Sequence, residues 1–285
     1  MERAIPALVS VLAIAAGAAS ARAPQQAPPP SRPRSYVCLR VPSAPTLDGA
    51  LDDQAWRHIP WSEPFVDIEG DARLAPTLRT RMKLGWDDQF LYVAGLLEEP
   101  HVWATLTERD AVIYQDDDFE IFIDPDGDRN EYYELEINAL GTVWDLFLVR
   151  PYRDGGPALH GWDIAGLRAA ARVDGTINDP SDLDRGWSVE LALPWAALAE
   201  AAPGRRGPRP GESWRVNFSR VDWEMEIADG GYVKRRDPAT GRPRPERNWV
   251  WSPQGVIDMH RPEHWGVVTF SGSVAGPAAR DAARR

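Results

Sequence analysis

The chain has 285 residues, with 43 acidic side chains against 32 Lys plus Arg and a net charge of −11, which excludes non-specific attraction to nucleic acid or to anionic membranes. Its single cysteine, Cys38, rules out an intramolecular disulfide and is expected to be a small buried hydrophobe. Tryptophan, at 13 residues, outnumbers Tyr and Phe at 7 each, and composition does not divide those rings between core and ligand face.

Residues 1–21 read as a signal peptide: Arg3, an apolar run from Ala4 to about Ala18, then the small residues Ala19-Ser20-Ala21. The run is shorter than the roughly 20 residues needed to span a bilayer. The mature chain is therefore expected to be secreted or periplasmic, with no membrane contact after cleavage. Residues 22–35 form a Pro-rich linker, residues 36–271 one domain, and residues 272–285 a small, polar, basic tail expected to be disordered.

Within the domain the apolar period is two. Phe119, Ile121 and Ile123 alternate with Asp118, Glu120 and Phe122; Tyr133, Leu135 and Ile137 alternate with Glu134, Glu136 and Asn138. Trp187, Val189, Leu191 and Leu193 follow the same rule. Each such run predicts a strand with one face in the core. Further strands are expected at 36–41, 78–86, 90–97, 142–149, 167–173, 214–221 and 267–270. Pro194 predicts the start of a short helix over Trp195–Ala202, and another turn is expected over Asp53–His58. Two Pro-, Gly- and Arg-rich stretches, 203–212 and 234–247, read as exposed loops that can border a binding face. The fold class expected is all-β: an antiparallel β-sandwich with short helices and long loops.

Five segments in order carry a resemblance. They are Asp48-Gly49-Ala50-Leu51-Asp52 with Trp56; Trp86-Asp87 through Leu91-Tyr92-Val93; Asp117-Asp118-Phe119-Glu120-Ile121-Phe122-Ile123-Asp124; Gly186-Trp187-Ser188-Val189-Glu190 through Pro194-Trp195; and His264-Trp265-Gly266. The sequence resembles the family-nine carbohydrate-binding modules of the wider DOMON-like group. That resemblance implies a non-catalytic domain that reversibly binds a poly- or oligosaccharide in support of carbohydrate catabolism. Any glycoside hydrolase activity would then belong to a separate partner, and the domain itself is expected to be a monomer. It also implies two aromatic platforms around the sugar, of which the first falls on Tyr114 and the second on Met259. Trp249, Trp251 and His260 are near enough in sequence to replace the second ring, and Trp144 can face the same cleft. Asn138 and Arg261 would meet hydroxyl groups.

The densest acidic segment offers Asp116, Asp117, Asp124, Asp126 and Asp128 as metal ligands. Carboxylates on alternate positions of a Gly-containing turn suit a hard cation such as Ca²⁺, and the family resemblance adds a structural calcium; a solvated acidic turn is the alternative. An EF-hand is excluded, because Leu135 stands where its bidentate Glu would be. Catalytic signatures are weak. Glu134 and Glu136 share one strand face, as polar strand residues commonly do, and Pro262 breaks any helical zinc pair of His260 with His264. Two alternatives from the same fold group stay open. One is a protein-interaction module; the other is a haem-b carrier using Met82, Lys83, Met225, Met259 or a histidine as axial ligand.

Overall fold

In the computed structural model, residues 32–283 are described. The expected signal peptide, most of the expected Pro-rich linker and the last two residues lie outside them. Among the described residues the strands are β1 (Ser35–Arg40), β2 (Val66–Asp67), β3 (Thr80–Trp86), β4 (Phe90–Glu98), β5 (Asp118–Asp124), β6 (Tyr132–Asn138), β7 (Val143–Leu148), β8 (Ala158–Leu159), β9 (Arg168–Asp174), β10 (Gly186–Pro194), β11 (Ser213–Asp222), β12 (Met225–Ala228), β13 (Gly231–Lys234), β14 (Arg247–Val250) and β15 (Gly266–Val274). The ladder runs β8-β7-β6-β5-β11-β15-β1-β3-β4-β10-β9, with β14 paired to both β11 and β2, while β12 and β13 form a separate hairpin.

The ladder is folded over so that its halves form a sandwich. Phe119 and Ile121 from β5 and Leu135 from β6 share one core with Val93 from β4 and Val189 from β10. Gly95 of β4 shows how closely the layers approach: a Cβ there would come within 3.0 Å of the Phe119 ring. Cys38 is wholly buried in this core. Two features depart from the antiparallel expectation. β1 runs parallel to both of its neighbours, β15 and β3, because a long crossover rather than a hairpin separates β1 from β3. The supposed disordered tail is instead partly ordered: β15 continues to Val274 and a helix spans Pro277–Ala283. Ala279 and Ala283 of that helix pack on the core, so its small residues supply apolar surface that composition alone concealed.

The opening motif is fastened to β10 by Glu190. One carboxylate oxygen accepts the Asp48 and Gly49 N–H groups at 3.0 and 2.7 Å, and the other accepts the Trp56 indole N–H at 2.6 Å. Gly49 sits at φ +79 with Arg172 Cβ only 2.7 Å from where its own Cβ would stand, so the turn requires glycine. Trp56 is fully buried behind it. The motif thus closes the outer face of β10.

The outer face of β5, β6 and β7 is the one that matters for function. Strand alternation turns Glu120 and Phe122 of β5, Tyr132, Glu134 and Glu136 of β6, and Trp144 and Leu146 of β7 away from the main core. The chain does not leave them to solvent. Ile68, Val250, Met259 and Trp265 cover part of this face and make a second, smaller apolar cluster with Phe122, Tyr132, Trp144 and Leu146. The uncovered remainder is a cleft.

Candidate functional site

The cleft encloses about 220 Å³ and is lined by Tyr114, Trp144, Tyr152, Met259 and His260 above a floor of Glu120, Glu134 and Glu136, with Glu246 and Asn248 on the β14 side. Tyr114 comes from the turn before β5 and is 43% exposed, an open ring like that of Tyr152 at 46%. Its ring lies 6.4 Å from Trp144 at an interplanar angle of 35°, and Trp144 in turn stacks on His160 at 5.5 Å and 13°. The turn is held by its own backbone: Tyr114 N–H donates to Glu136 at 2.8 Å, and Tyr114 C=O accepts the Trp223 indole N–H at 2.9 Å. Tyr152 meets His260 edge-on at 4.6 Å, and His260 Nδ1 shares a 2.9 Å hydrogen bond with Tyr132. Burial lowers His260 to about 4, so this ring is neutral.

The floor is acidic, buried and poorly paired. Glu134 is 5% exposed, and its Oε2 has no hydrogen-bond partner; nor has the indole N–H of Trp144 beside it. Oxygens of Asp118, Glu120 and Glu136 lie within 4.8 Å of one another. Burial pushes Glu120 up to about 7, and burial followed by the charge of Glu120 holds Glu134 and Glu136 well above the usual carboxylate range. Buried polar atoms are normally satisfied, so the unpaired groups here mark a surface shaped to meet something.

Four of the eight residues expected at a ligand face, Tyr114, Trp144, Met259 and His260, line this one cleft. The other four do not. Trp249, 3% exposed, faces the main core, because alternation along β14 gives Asn248 the cleft side; Arg220 packs its guanidinium 5.2 Å over the ring. Trp251, 1% exposed, packs edge-on against Tyr36 and Phe218 and covers Gly266, where a Cβ would lie 2.2 Å from the indole. Asn138 is consumed internally: it donates to Leu106 C=O and Asp116 and accepts the Leu140 and Thr142 N–H groups. Arg261 pairs with Asp258 at 3.3 Å and is not among the lining residues.

The expected metal ligands also separate. Asp124, Asp126 and Asp128 bring oxygens within 4.8 Å of one another. Asp116 instead accepts Thr105 N–H and Oγ1–H and Leu106 N–H, and Asp117 accepts the Trp103 indole and Trp223 N–H groups. These two carboxylates brace loops and cannot join the others. Met82 is buried in the main core and Lys83 Nζ donates to Trp56 C=O, so neither is free to serve as an axial ligand. What sequence reasoning missed is the floor and part of the rim: Glu120, Glu134 and Glu136 as ligand-facing groups, Tyr152, and Glu246 with Asn248. For Glu246 there was a signal, since it lies in the 234–247 stretch expected to border a binding face.

A larger cavity of about 540 Å³ lies on the β4–β10–β9 side, under Gly49–Asp52 and beside Trp61. None of the expected ligand residues lines it, and Trp61 is engaged by Arg81 and Lys83 at 4.9 and 4.6 Å from its ring centre.

Residues 47–208 match the model of the family described as carbohydrate family 9 binding domain-like. The exoglucanase XynX of Acetivibrio thermocellus is 23% identical over 164 residues; these are 58% of this chain but 13% of that protein, so the chain spans about an eighth of this curated relative's length. A family 9 carbohydrate-binding module of Caldicellulosiruptor kristjanssonii, solved with cellotriose, superposes with a TM-score of 0.55 at 16% identity, covering 84% of this chain and 94% of that one. The same module solved with glucose gives 0.55 at 16%, over 86% and 99%. The likeness in shape extends past the segment matched by the family model and includes the strands after residue 208.

Proposed function

The chain belongs to the carbohydrate family 9 binding domain-like family, and from that membership and the make-up of the cleft we propose that it binds sugar on the outer face of β5, β6 and β7. The observation that carries the proposal is the exposed Tyr114 ring beside Trp144, in one cleft with the unpartnered Glu134 Oε2 and Trp144 indole N–H. An aromatic face accepts the C–H side of a pyranose, and planar polar groups at its edge take the hydroxyls. The second platform would be Met259, a polarisable thioether in place of a ring. At about 220 Å³ the cleft is below the ~300–1,000 Å³ of drug-sized sites, which suits one or two sugar units rather than a chain laid along a groove.

The domain would act outside the cytoplasm, secreted or periplasmic, as a monomer whose catalytic partner is a separate glycoside hydrolase. The leader-like residues 1–21 support the export, and the A. thermocellus relative is named as an exoglucanase. A structural calcium would sit at Asp124, Asp126 and Asp128. The donor set fits a hard cation, and burial already pushes Asp124 up to about 7, a cost that a bound ion would offset.

The test is titration with glucose, cello-oligosaccharides, xylo-oligosaccharides and amino-sugar oligomers, followed by tryptophan fluorescence and calorimetry. Saturable binding that is lost in Tyr114→Ala and Trp144→Ala is the expected result. No saturable binding to any of them, with or without calcium, would sink the proposal.

A further inference from the structure

The floor of the cleft differs from the ion-paired carboxylates among the described residues. Glu99 and Asp222 share Arg220, Asp145 and Asp163 share Arg109, and Asp258 pairs with Arg153 and Arg261. Asp118, Glu120, Glu134 and Glu136 enter no ion pair among the described residues, although they are more deeply buried than most of those groups. Two backbone N–H groups reach them: Tyr114 donates to Glu136 at 2.8 Å and Val221 to Asp118 at 3.1 Å. Glu134 Oε2 and Asp118 Oδ2 have no partner.

We propose that the sugar this cleft takes carries a protonated amine, so that its ligand class is an amino-sugar oligomer rather than a neutral glucan. The inference rests on the carbohydrate reading of the site and narrows it. The carboxyl side chains lining the cleft are Glu120, Glu134, Glu136, Glu246 and Asp258, no Lys or Arg lines it, and His260 is the one base and neutral. The nearest cations have other partners, and only Arg153 among them also reaches a rim carboxylate, Asp258 at 3.6 Å. Lys234 lies 3.3 Å over the Trp223 ring and donates to Gln115 C=O, Arg247 lies 3.4 Å from Asp222, and Arg153 holds Glu263 at 3.1 Å. A neutral sugar could donate hydroxyl hydrogens to this floor but would leave its charge uncompensated. An ammonium brings three donors and the missing positive charge together. The rings of Tyr114, Trp144 and Tyr152 around it are the surroundings that a desolvated cation favours.

A bare divalent ion answers the charge less well. Calcium asks for six to eight oxygens, and the walls here are aromatic rings and a thioether.

Proton exchange gives the proposal a signature. The facing titratable groups are Asp118, Glu120, Glu134, Glu136, Glu246, Asp258, His260, Tyr114, Tyr132 and Tyr152. Burial raises Glu120 to about 7 and, with the charge of Glu120, holds Glu134 and Glu136 well above the usual carboxylate range. An entering ammonium displaces a carboxyl proton into solvent, whereas a neutral sugar does not.

The experiment is calorimetry on the mature chain, in two buffers of different ionisation heat. The titrants are a glucosamine oligomer, its N-acetylated counterpart, a cello-oligosaccharide of equal length, and CaCl₂ alone. The glucosamine oligomer should bind about tenfold or more tightly than either neutral one, as one charge-assisted hydrogen bond provides, with net proton release. Glu134→Gln, a same-shape change that removes charge, should cut that preference by about tenfold while Tm is held or raised. Neutral oligomers binding as well as the amine would overturn this inference and leave the sugar cleft standing. Binding of no oligomer would remove both. Calcium bound at the cleft and lost in Glu134→Gln, with no amine preference, would reassign the floor to an inorganic ion.

Discussion

Glu120→Gln is a direct probe of the cleft floor, because it removes a charge while keeping the side chain's shape. Burial shifts Glu120 from its ordinary 4.5 to about 7. At about 1.4 kcal/mol for each pH unit, that displacement corresponds to about 3 kcal/mol of stability. The sign follows from proton counting. Between 4.5 and about 7 the folded chain holds a proton that the unfolded chain has released, so stability is full below about pH 4.5 and falls as pH rises through about 7. His260 acts oppositely. Its lowered value, about 4, adds stability as pH rises towards its ordinary 6.5, so the wild-type profile alone would mix the two effects.

The difference between variant and wild type removes that mixture. Glu120→Gln should match wild type near pH 4.5 and become the more stable protein by about 3 kcal/mol at pH 8, or about 6–12 °C in Tm for a domain of this size. Glu120 is also a named source of the upward shift in Glu134 and Glu136, so its loss relaxes theirs in the same direction. The assay is calorimetric or fluorimetric melting from pH 4.5 to 8. Two parallel profiles, or a variant less stable at pH 8, would refute the claim that these carboxylates are buried without compensation.

Tyr114→Ala should weaken sugar binding by about tenfold or more and leave Tm nearly unchanged. Trp251→Ala should cost about 3–5 kcal/mol of stability, because that ring is core, and leave the affinity of the folded fraction intact. Glu190→Ala should lower Tm through the loss of three buried hydrogen bonds, a cost of about 3 kcal/mol or more, with no change in sugar affinity. Calcium should raise Tm saturably in wild type and in Asp117→Asn, but not in Asp126→Asn with Asp128→Asn; an unchanged wild-type Tm in excess calcium would remove the metal proposal.

The sandwich was legible because its information is local. Period-two alternation marks β5, β6 and β10, and Pro194 marks the helix at Trp195–Leu198. The motifs were legible as a set, but not their purpose. Asp48-Gly49 and Trp56 read as signs of a ligand-binding family, yet they work as a clamp on Glu190. Likewise Trp265-Gly266 reads as a signature, and its glycine is required by the Trp251 ring that lies over it. The hairpin β12–β13 escaped because it pairs only with itself, and most of its side chains are at least partly exposed.

The site was half legible, and the missing half has one physical cause. Alternation tells which residues share a face but not whether that face meets water. Glu134 and Glu136 alternate with Tyr133, Leu135 and Ile137, so by period alone they belong to a solvated surface. What buries them is distant chain: Ile68 before β3, Asn248 and Val250 on β14, and Met259 after it, joined only through tertiary pairing. The same covering explains the tryptophans. Trp249 and Trp251 stand next to the residues that close the cleft, yet strand geometry sends Trp249 to the opposite side and Gly266 draws Trp251 inward. Aromatic residues were therefore over-counted as ligand groups and carboxylates under-counted. The consequence for the proposed function is that specificity in this cleft would belong to its floor. The rings of Tyr114 and Trp144 would fit any pyranose, whereas an acidic floor with no arginine lining it would select by charge.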